Sequence, residues 1–535
     1  MSFPPPAAGE SHRHPDTRGA EEHLRRASSS FFHSGTFLVI SLALVKLLLH
    51  FWANGRYGYF RDELYYIACG EHLDWGYVDQ PPLVALAAKL SRLLLGDSLF
   101  AIRFFPAVAG SLKVLLAGFL ARELGGGRLA QALAALAVII APVYLGIDNF
   151  LSMNGFELLF CVGCAYVVIR VIKTGNPKWW LWFGLLAGLG LENKHSMTFF
   201  GLAVFVGLVL TAQRKFLFNK WIWIGGFVTL VIFLPNLIWQ VRHDWATLEL
   251  LNNVKNSTKN VSLTPIQFFS QQILMMHPLN FPIWFAGLGF FFFARAGRPY
   301  RVLGWTYVVL FVAFVVLKGK VYYLAPAYPM LLAAGALVVE DLIGRSGQAW
   351  LKPALVTVLV AGGIALAPFG LPLLPVETFL RYQKAIGIEP PRTESSHTAE
   401  LPQIYADQFG WEEMTATVAR IYQSLSPEER AKTAIFGNNY GEAGAIDFFG
   451  RKYGLPKAVS AHQNYFFWGP REYTGEIVIV LGGTRRDLEQ RFHAVEEAAV
   501  LYHPYAMPFE NRPVYLCRGL KEPLKELWPK LKRWL

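Results

Sequence analysis

Between residues 36 and 372 the sequence is a succession of apolar runs separated by short polar loops. Most of the runs are long enough for a helix to cross the hydrocarbon core of a bilayer, which takes about 20 residues. Only 16% of the residues are charged, against about a quarter in soluble domains, and this excludes a purely soluble enzyme. We predict about eleven membrane spans, at 36–53, 99–121, 129–147, 150–172, 179–191, 196–212, 221–241, 273–294, 302–317, 321–342 and 353–372.

The distribution of charge predicts the orientation of these spans. The net charge is +12, and all of the excess lies in residues 1–375, because residues 376–535 carry equal numbers of basic and acidic residues. Lys and Arg concentrate in cytoplasmic loops of membrane proteins. Loops on the side of the N-terminal tail are basic, whereas most acids of the spanning part fall on the opposite side. We therefore expect a cytoplasmic N-terminus and, with an odd number of spans, an extracytoplasmic C-terminal part. Membrane orientation explains the charge better than nucleic-acid binding does.

The predicted fold class is a polytopic α-helical membrane protein with a C-terminal soluble α/β domain. Residues 1–34 are expected to be a disordered cytoplasmic tail, residues 35–375 a transmembrane domain whose first extracytoplasmic loop is 54–98, and residues 376–535 an extracytoplasmic domain. Within that last domain, apolar runs predict short strands alternating with helices. The strands are expected at 434–437, 476–483 and 513–519, and the helices at 411–425 and 485–497.

The loop after the first span is dense in aromatic and acidic residues. It contains Arg61-Asp62-Glu63 and, further on, Asp79-Gln80-Pro81-Pro82. A carboxylate that is partly dehydrated at a membrane edge can serve as a general base. The alternative is a loop whose charges contact lipid headgroups and whose rings form an interfacial belt.

The order of motifs in this loop resembles a known family. Asp62-Glu63 is followed by two tyrosines, by Gly-Tyr-x-Asp-x-Pro-Pro-Leu at 76–83 and by Arg103. This order is similar to that of the membrane glycosyltransferases of the protein O-mannosyltransferase and aminoarabinose transferase type, which have the GT-C fold. The resemblance extends over residues 36–345. It implies an enzyme of the cell envelope, expected in a bacterial inner membrane, that moves a sugar from a polyprenyl-phosphate donor to an acceptor with inversion.

The resemblance implies roles for three acids and for a group of cations. Asp62 is the candidate base, Glu63 helps to place the acceptor, and Asp148 is a second catalytic acid. The alternative for Glu63 is a solvated or headgroup-facing acid, and the alternative for Asp148 is a helix N-cap. Because Gln80 stands where relatives often have His or Lys, the cation beside the leaving phosphate must come from elsewhere. The candidates for that phosphate-binding cation are Arg61, Lys194, Lys318 and Lys320. The alternative for the last two is ordinary snorkelling at the interface.

Two further sites follow from the resemblance. Tyr322, Tyr323 and Tyr328 are expected to line a groove for the prenyl chain, or otherwise to form an aromatic belt. Asp79 and His243 match positions at which some relatives bind a divalent metal, and a polar pair at the membrane interface is the alternative. No other cofactor is expected, and the partners are the lipid-linked donor, membrane lipids and an acceptor that is a glycan, a lipid or a protein.

Two other functions compete with glycosyl transfer. A transporter or flippase for polyprenyl-linked lipids would favour repeated halves and ionisable residues near mid-membrane. No repeat is evident in this sequence, and its acids gather on one predicted face. A non-catalytic scaffold of envelope glycan assembly would use the C-terminal domain to bind partners. The sequence identifies neither the sugar nor the acceptor.

Overall fold

A computed structural model describes residues 34–257, 261–389, 394–395 and 399–535. Apart from Ser34, the predicted N-terminal tail therefore lies outside the described residues. The helices of ten or more residues in the described ranges are numbered in chain order. They are α1 Gly35–Ala53, α2 Arg61–Glu71, α3 Leu83–Leu95, α4 Phe104–Glu123, α5 Arg128–Ile140, α6 Met153–Thr174, α7 Trp180–Leu191, α8 Met197–Val209, α9 Lys220–Arg242, α10 Ala246–Lys255, α11 Pro265–Met275, α12 Phe281–Phe293, α13 Arg301–Val316, α14 Tyr328–Ser346, α15 Leu351–Leu366, α16 Val376–Ile386, α17 Trp411–Ser424 and α18 Tyr440–Phe449.

Among the described residues, seven helices are long and apolar enough to cross a membrane, or up to nine if each of two bent pairs is one span. The pairs bend by 111° after α8 and by 100° after α11. The predicted count of about eleven is not confirmed. The run 129–147 breaks at Pro142, and α5 and α7 have only 13 and 12 residues. At 1.5 Å per residue such helices are about 20 Å long, less than the hydrocarbon thickness.

The apolar surfaces of these helices face two environments. The span that contains α14 is 78% buried inside the protein, whereas α9 is only 11% buried although its hydropathy is as high. Exposed apolar side chains on a long helix are the surface that lipid covers. Helix α14 therefore lies at the centre of the bundle, and α9 lies at its periphery.

The C-terminal region, residues 399–535, contains a mixed four-stranded sheet in the order β1-β2-β4-β3. Its strands are β1 Thr433–Phe436, β2 Ile477–Leu481, β3 Phe492–Val500 and β4 Pro513–Leu520. The β1–β2 pair is parallel and the other pairs are antiparallel. Helix α17 and strands β1, β2 and β4 confirm the predicted elements.

The predicted helix at 485–497 is wrong in its second half. A short helix, Arg485–Arg491, ends there and β3 begins. The Ala- and Glu-rich sequence of β3 favours a helix by propensity, but pairing along β4 overrides it. β3 is an edge strand with mostly exposed side chains, which is why it lacks the apolar pattern of β2.

The C-terminal region packs directly on the first loop. Leu64 and Ile67 of α2 belong to one buried hydrophobic cluster with Ala443 and Ile446 of α18. The loop is thus held between the membrane helices and the C-terminal region. The division at residue 376 into a separate domain stays a prediction.

Candidate active site

A cavity of about 380 Å³ opens where the first loop, the membrane helices and the C-terminal region meet. Seven of the residues predicted from the sequence line it together. They are Arg61, Asp62, Asp79, Lys194, Lys320, Tyr322 and Tyr323. The other wall is apolar and includes Val143, Ile147, Phe150, Leu274, Met275 and Phe369. With Glu394, which also lines the cavity, three carboxylates and three cations thus face a chamber whose apolar wall is suited to a hydrocarbon chain.

Asp62 stands in the first turn of α2, which begins directly after the extended residue Phe60. Its Oδ1 accepts a hydrogen bond from the Tyr440 hydroxyl at 2.7 Å. Within the described ranges, no hydrogen bond to its Oδ2 is found. The carboxylate is therefore oriented through one oxygen, and the other oxygen remains available to a bound molecule.

Glu63 does not line the cavity. Its side chain is fully buried and forms an ion pair with Arg103, with Arg103 Nη2 3.0 Å from Glu63 Oε2. The backbone N–H groups of Phe60 and Leu151 also donate to it, each at 2.8 Å. These bonds satisfy both carboxylate oxygens, so the structure gives Glu63 the role of fixing the loop beneath Asp62 and does not place it beside an acceptor.

Asp148 also lies outside the cavity. Its fully buried carboxylate pairs with Lys113 and, at 3.3 Å, with Lys46. It follows the short helix Pro142–Ile147, and the N-cap of α6 is Ser152. The N-cap alternative for Asp148 is therefore wrong. Its carboxylate lies between two buried lysines inside the bundle.

Each cation in the cavity is already paired with an acid. Arg61 lies 3.5 Å from Asp407, Lys194 lies 2.8 Å from Glu157, and Lys320 lies 2.8 Å from Glu394. An ammonium has three N–H donors. Among the described residues Lys320 uses one of them, and Lys194 uses two because it also donates to Asn154. Of the two lysines, Lys320 therefore has more N–H donors left for an anionic ligand.

Lys318 is exposed and does not line the cavity, although it stands only two residues before Lys320.

Of the three tyrosines predicted to line a groove, Tyr322 and Tyr323 line the cavity and Tyr328 does not. The Lys194 ammonium lies 4.5 Å from the ring centroid of Tyr323 and 5.9 Å from that of Tyr322. Tyr328 is buried away from the cavity, where its hydroxyl donates to Gln272 at 3.1 Å.

The structure does not bring Asp79 and His243 to one cavity. Asp79 lines the cavity and accepts a hydrogen bond from the Tyr65 hydroxyl at 2.8 Å. The His243 ring stacks on Trp239 with centroids 4.0 Å apart, and its Nδ1 lies 2.9 Å from the Trp239 carbonyl oxygen. In the described part of the chain no three His, Cys, Asp or Glu side chains cluster as metal ligands do. A divalent metal held by this pair stays a prediction.

Sequence reasoning missed the site residues that follow helix α16 in the chain. Tyr440 and Glu394 line the cavity, and Asp407 pairs with Arg61 at its edge. Burial raises the pKa of the Asp407 carboxyl to about 7, although the nearby Arg61 acts in the opposite direction. The available signal was local: Asn439 caps a helix whose first turns hold Gly441 and Gly444, small residues of the kind that let helices approach closely.

Residues 79–239 match the family model described as dolichyl-phosphate-mannose-protein mannosyltransferase. This confirms the resemblance stated from the loop motif. The chain is 25% identical over 319 residues to the undecaprenyl phosphate-alpha-4-amino-4-deoxy-L-arabinose arabinosyl transferase of Edwardsiella ictaluri. This alignment covers 55% of this chain and 57% of that relative. It is also 25% identical over 252 residues to the lipid A galacturonosyltransferase RgtD of Rhizobium johnstonii, over 46% of this chain and 52% of that relative.

The aligned segments thus span little more than half of each of these two relatives. Among solved structures, ArnT from Cupriavidus metallidurans bound to undecaprenyl phosphate superimposes with a TM-score of 0.59. That superposition covers 90% of this chain and 97% of ArnT at 16% identity. The fold of the chain is therefore the GT-C fold of ArnT, as the resemblance implied.

Proposed function

We propose that this protein is an inverting glycosyltransferase that moves a sugar from a polyprenyl-phosphate donor to a hydroxyl acceptor at the extracytoplasmic face of a membrane. The observation that carries the proposal is the composition of the cavity. Asp62, which is oriented by a hydrogen bond, shares the cavity with two further carboxylates, three cations and an apolar wall. A lipid-linked phosphosugar needs all three features, and the name of the Edwardsiella ictaluri relative includes such a donor.

The proposed reaction is a single displacement at the anomeric carbon. The acceptor oxygen forms the new bond to that carbon, on the face opposite the phosphate. The bond from carbon to the phosphate oxygen breaks, and its electron pair leaves with the polyprenyl phosphate. Asp62 takes the acceptor proton as the bond forms, which keeps the acceptor nucleophilic. The products are a glycosylated acceptor of inverted configuration and a free polyprenyl phosphate.

The cations supply the second requirement, which is stabilisation of the leaving phosphate. Charge develops on the phosphate oxygen in the transition state, and fixed cations in a partly dehydrated site stabilise it strongly. Lys194 and Lys320 line the cavity together with Tyr322 and Tyr323. A phosphate bound there would leave the prenyl chain against Ile147, Phe150 and their apolar neighbours.

The proposal is tested with purified protein in proteoliposomes. The donors are undecaprenyl phosphate linked to 4-amino-4-deoxy-L-arabinose, to galacturonic acid or to mannose, and lipid A is the first acceptor. Release of undecaprenyl phosphate and mass spectrometry of the acceptor measure transfer. We expect release from at least one donor. Movement of the labelled donors across the bilayer with every sugar still attached would overturn the proposal and favour the flippase.

Lys320 provides a test of the phosphate site with a matched control. We expect Lys320→Ala to weaken binding of undecaprenyl phosphate by about tenfold to 100-fold, since a hydrogen bond to a charged group contributes about 1.5–3 kcal/mol. Lys318→Ala, which removes an exposed lysine two residues away, should change the affinity less than twofold. Titration of the detergent-solubilised protein, followed by tryptophan fluorescence, measures both. Equal effects of the two variants would place the phosphate elsewhere.

A further inference from the structure

The base proposed above is held by a residue from the other end of the chain. The hydroxyl of Tyr440 donates to Asp62 Oδ1 at 2.7 Å across 378 residues of sequence. In the part of the chain that the structure describes, this is the sole hydrogen bond to the Asp62 carboxylate. Tyr440 itself lines the cavity.

Tyr440 is fixed from several sides. Its ring stacks on His462, with centroids 4.9 Å apart and planes inclined by 9°, and packs on Tyr65 at 4.7 Å. Its backbone N–H donates to His462 Nδ1 at 3.1 Å. It is the first residue of α18, whose N-cap Asn439 accepts hydrogen bonds from two backbone N–H groups of the first turn. The hydroxyl therefore has a defined position before any substrate binds.

Two glycines allow α18 to lie directly on α2. A Cβ atom on Gly441 would stand 2.4 Å from Cγ of Arg61, and one on Gly444 would stand 2.9 Å from the backbone of Leu64. Real Cβ contacts of that length do not occur without movement of one partner. The close approach is what brings the Tyr440 hydroxyl within hydrogen-bond distance of Asp62.

We propose that Tyr440 is a positioning residue for the Asp62 base, so that the C-terminal region completes the active site. This inference rests on the proposed function. One oxygen of Asp62 is occupied by the phenol, and the other is left to receive the acceptor proton. A catalytic group that is fixed in its reactive geometry raises the reaction rate strongly. A displacement of about 1 Å can lower that rate by about 100-fold.

The chemistry of the phenol suits this role. Burial and the negative charge of Asp62 raise the pKa of Tyr440 well above its ordinary value. The phenol thus stays protonated in the physiological range and acts only as a donor. It neither competes for the acceptor proton nor adds a negative charge to the cavity.

Tyr440→Phe tests the inference because it removes only the hydroxyl and keeps the stacked ring. We expect kcat for release of undecaprenyl phosphate from the active donor of the three to fall by about tenfold to 100-fold. KM for that donor and the affinity for undecaprenyl phosphate should stay within twofold. A lower melting temperature with parallel losses in kcat and in undecaprenyl phosphate affinity would show a merely structural bond and overturn the inference.

Tyr465→Phe is the matched control. Tyr465 is a buried tyrosine of the same region whose hydroxyl also donates to a carboxylate, Asp447, at 2.9 Å. Neither of these two residues lines the cavity. The variant loses an equivalent hydrogen bond, so its stability should fall by a similar amount while its kcat stays within twofold. A loss of kcat equal to that of Tyr440→Phe would overturn the positioning role.

Comparison of Tyr440→Phe, Asp62→Asn and the double variant distinguishes failure of the positioning role from failure of the proposed function. If Asp62→Asn keeps the full rate, the assignment of the base fails. If Asp62→Asn lowers the rate by about 100-fold or more but Tyr440→Phe keeps the wild-type kcat, only the positioning role fails. If Tyr440 acts through Asp62, Tyr440→Phe should cause no further loss in the Asp62→Asn background, because the two residues then act as one unit.

Discussion

Replacement of Asp62 by asparagine is expected to lower the rate of sugar transfer by roughly 100- to 10,000-fold, the range that a general base contributes. Asparagine has the size of aspartate, and its amide oxygen can still accept the hydrogen bond from Tyr440. An amide cannot take up the acceptor proton at neutral pH. The donor phosphate is held by other residues, so KM for the donor should change little. Release of undecaprenyl phosphate and formation of the glycosylated acceptor, measured together, check the expectation.

The control for this variant is Asp97→Asn. Asp97 belongs to the same loop but is half-exposed and pairs with Arg92 outside the cavity. Its replacement should leave the rate within twofold of wild type. If Asp62→Asn also retains the wild-type rate, the base lies elsewhere. Asp79, the second carboxylate of the first loop in the cavity, then becomes the candidate to test.

Some residues of the candidate site lie in the first loop or at the ends of membrane spans. Local motifs were sufficient to predict these residues. Arg61, Asp62 and Asp79 lie within 19 residues of sequence, and the structure places all three at the cavity. Lys194 and Lys320 follow or precede apolar runs, so they were expected at a membrane surface. Helix ends on the same side of a membrane lie at a similar depth. Residues at those ends can therefore be expected to lie near one another.

Neighbouring residues were harder to separate. Asp62 and Glu63 are adjacent, but α2 begins at Arg61, and consecutive side chains on a helix point about 100° apart. One carboxylate therefore faces the cavity, and the other lies against Arg103. Lys318 and Lys320 also differ in exposure, but they lie between two helices, where Lys318 has φ +53° and Lys320 is extended. A motif gives the residue types but not the direction in which each side chain points.

Contacts between distant segments were not predictable from local patterns at all. Asn439, Gly441 and Gly444 indicate a capped helix that can pack closely on another element, but they do not identify the first loop as its partner. The pairing depends on how two helices pack, and that is decided by shape complementarity along the whole interface. The lysine partners of Asp148 were missed for a related reason, since Lys46 and Lys113 stand inside apolar runs that were interpreted only as spans.

The Asp148→Asn variant is expected to lower the free energy of unfolding by about 3–5 kcal/mol, the usual loss when one partner of a buried ion pair is removed. Lys46 and Lys113 are both buried and share this one carboxylate. An amide would leave two ammonium groups without a counter-ion in the bundle. Unfolding of the purified protein in mixed detergent micelles, followed by tryptophan fluorescence, measures the loss.

Two further variants decide whether Asp148 has a structural or a chemical role. Asp341→Asn removes an exposed acid paired with Arg345 and should change stability by less than about 1 kcal/mol, as surface pairs do. Lys113→Met combined with Asp148→Asn should recover part of the lost stability, because it removes one unpaired charge. If Asp148→Asn instead unfolds like wild type but loses sugar transfer, Asp148 takes part in the chemistry, as the family resemblance implied, through a rearrangement that brings it to the cavity.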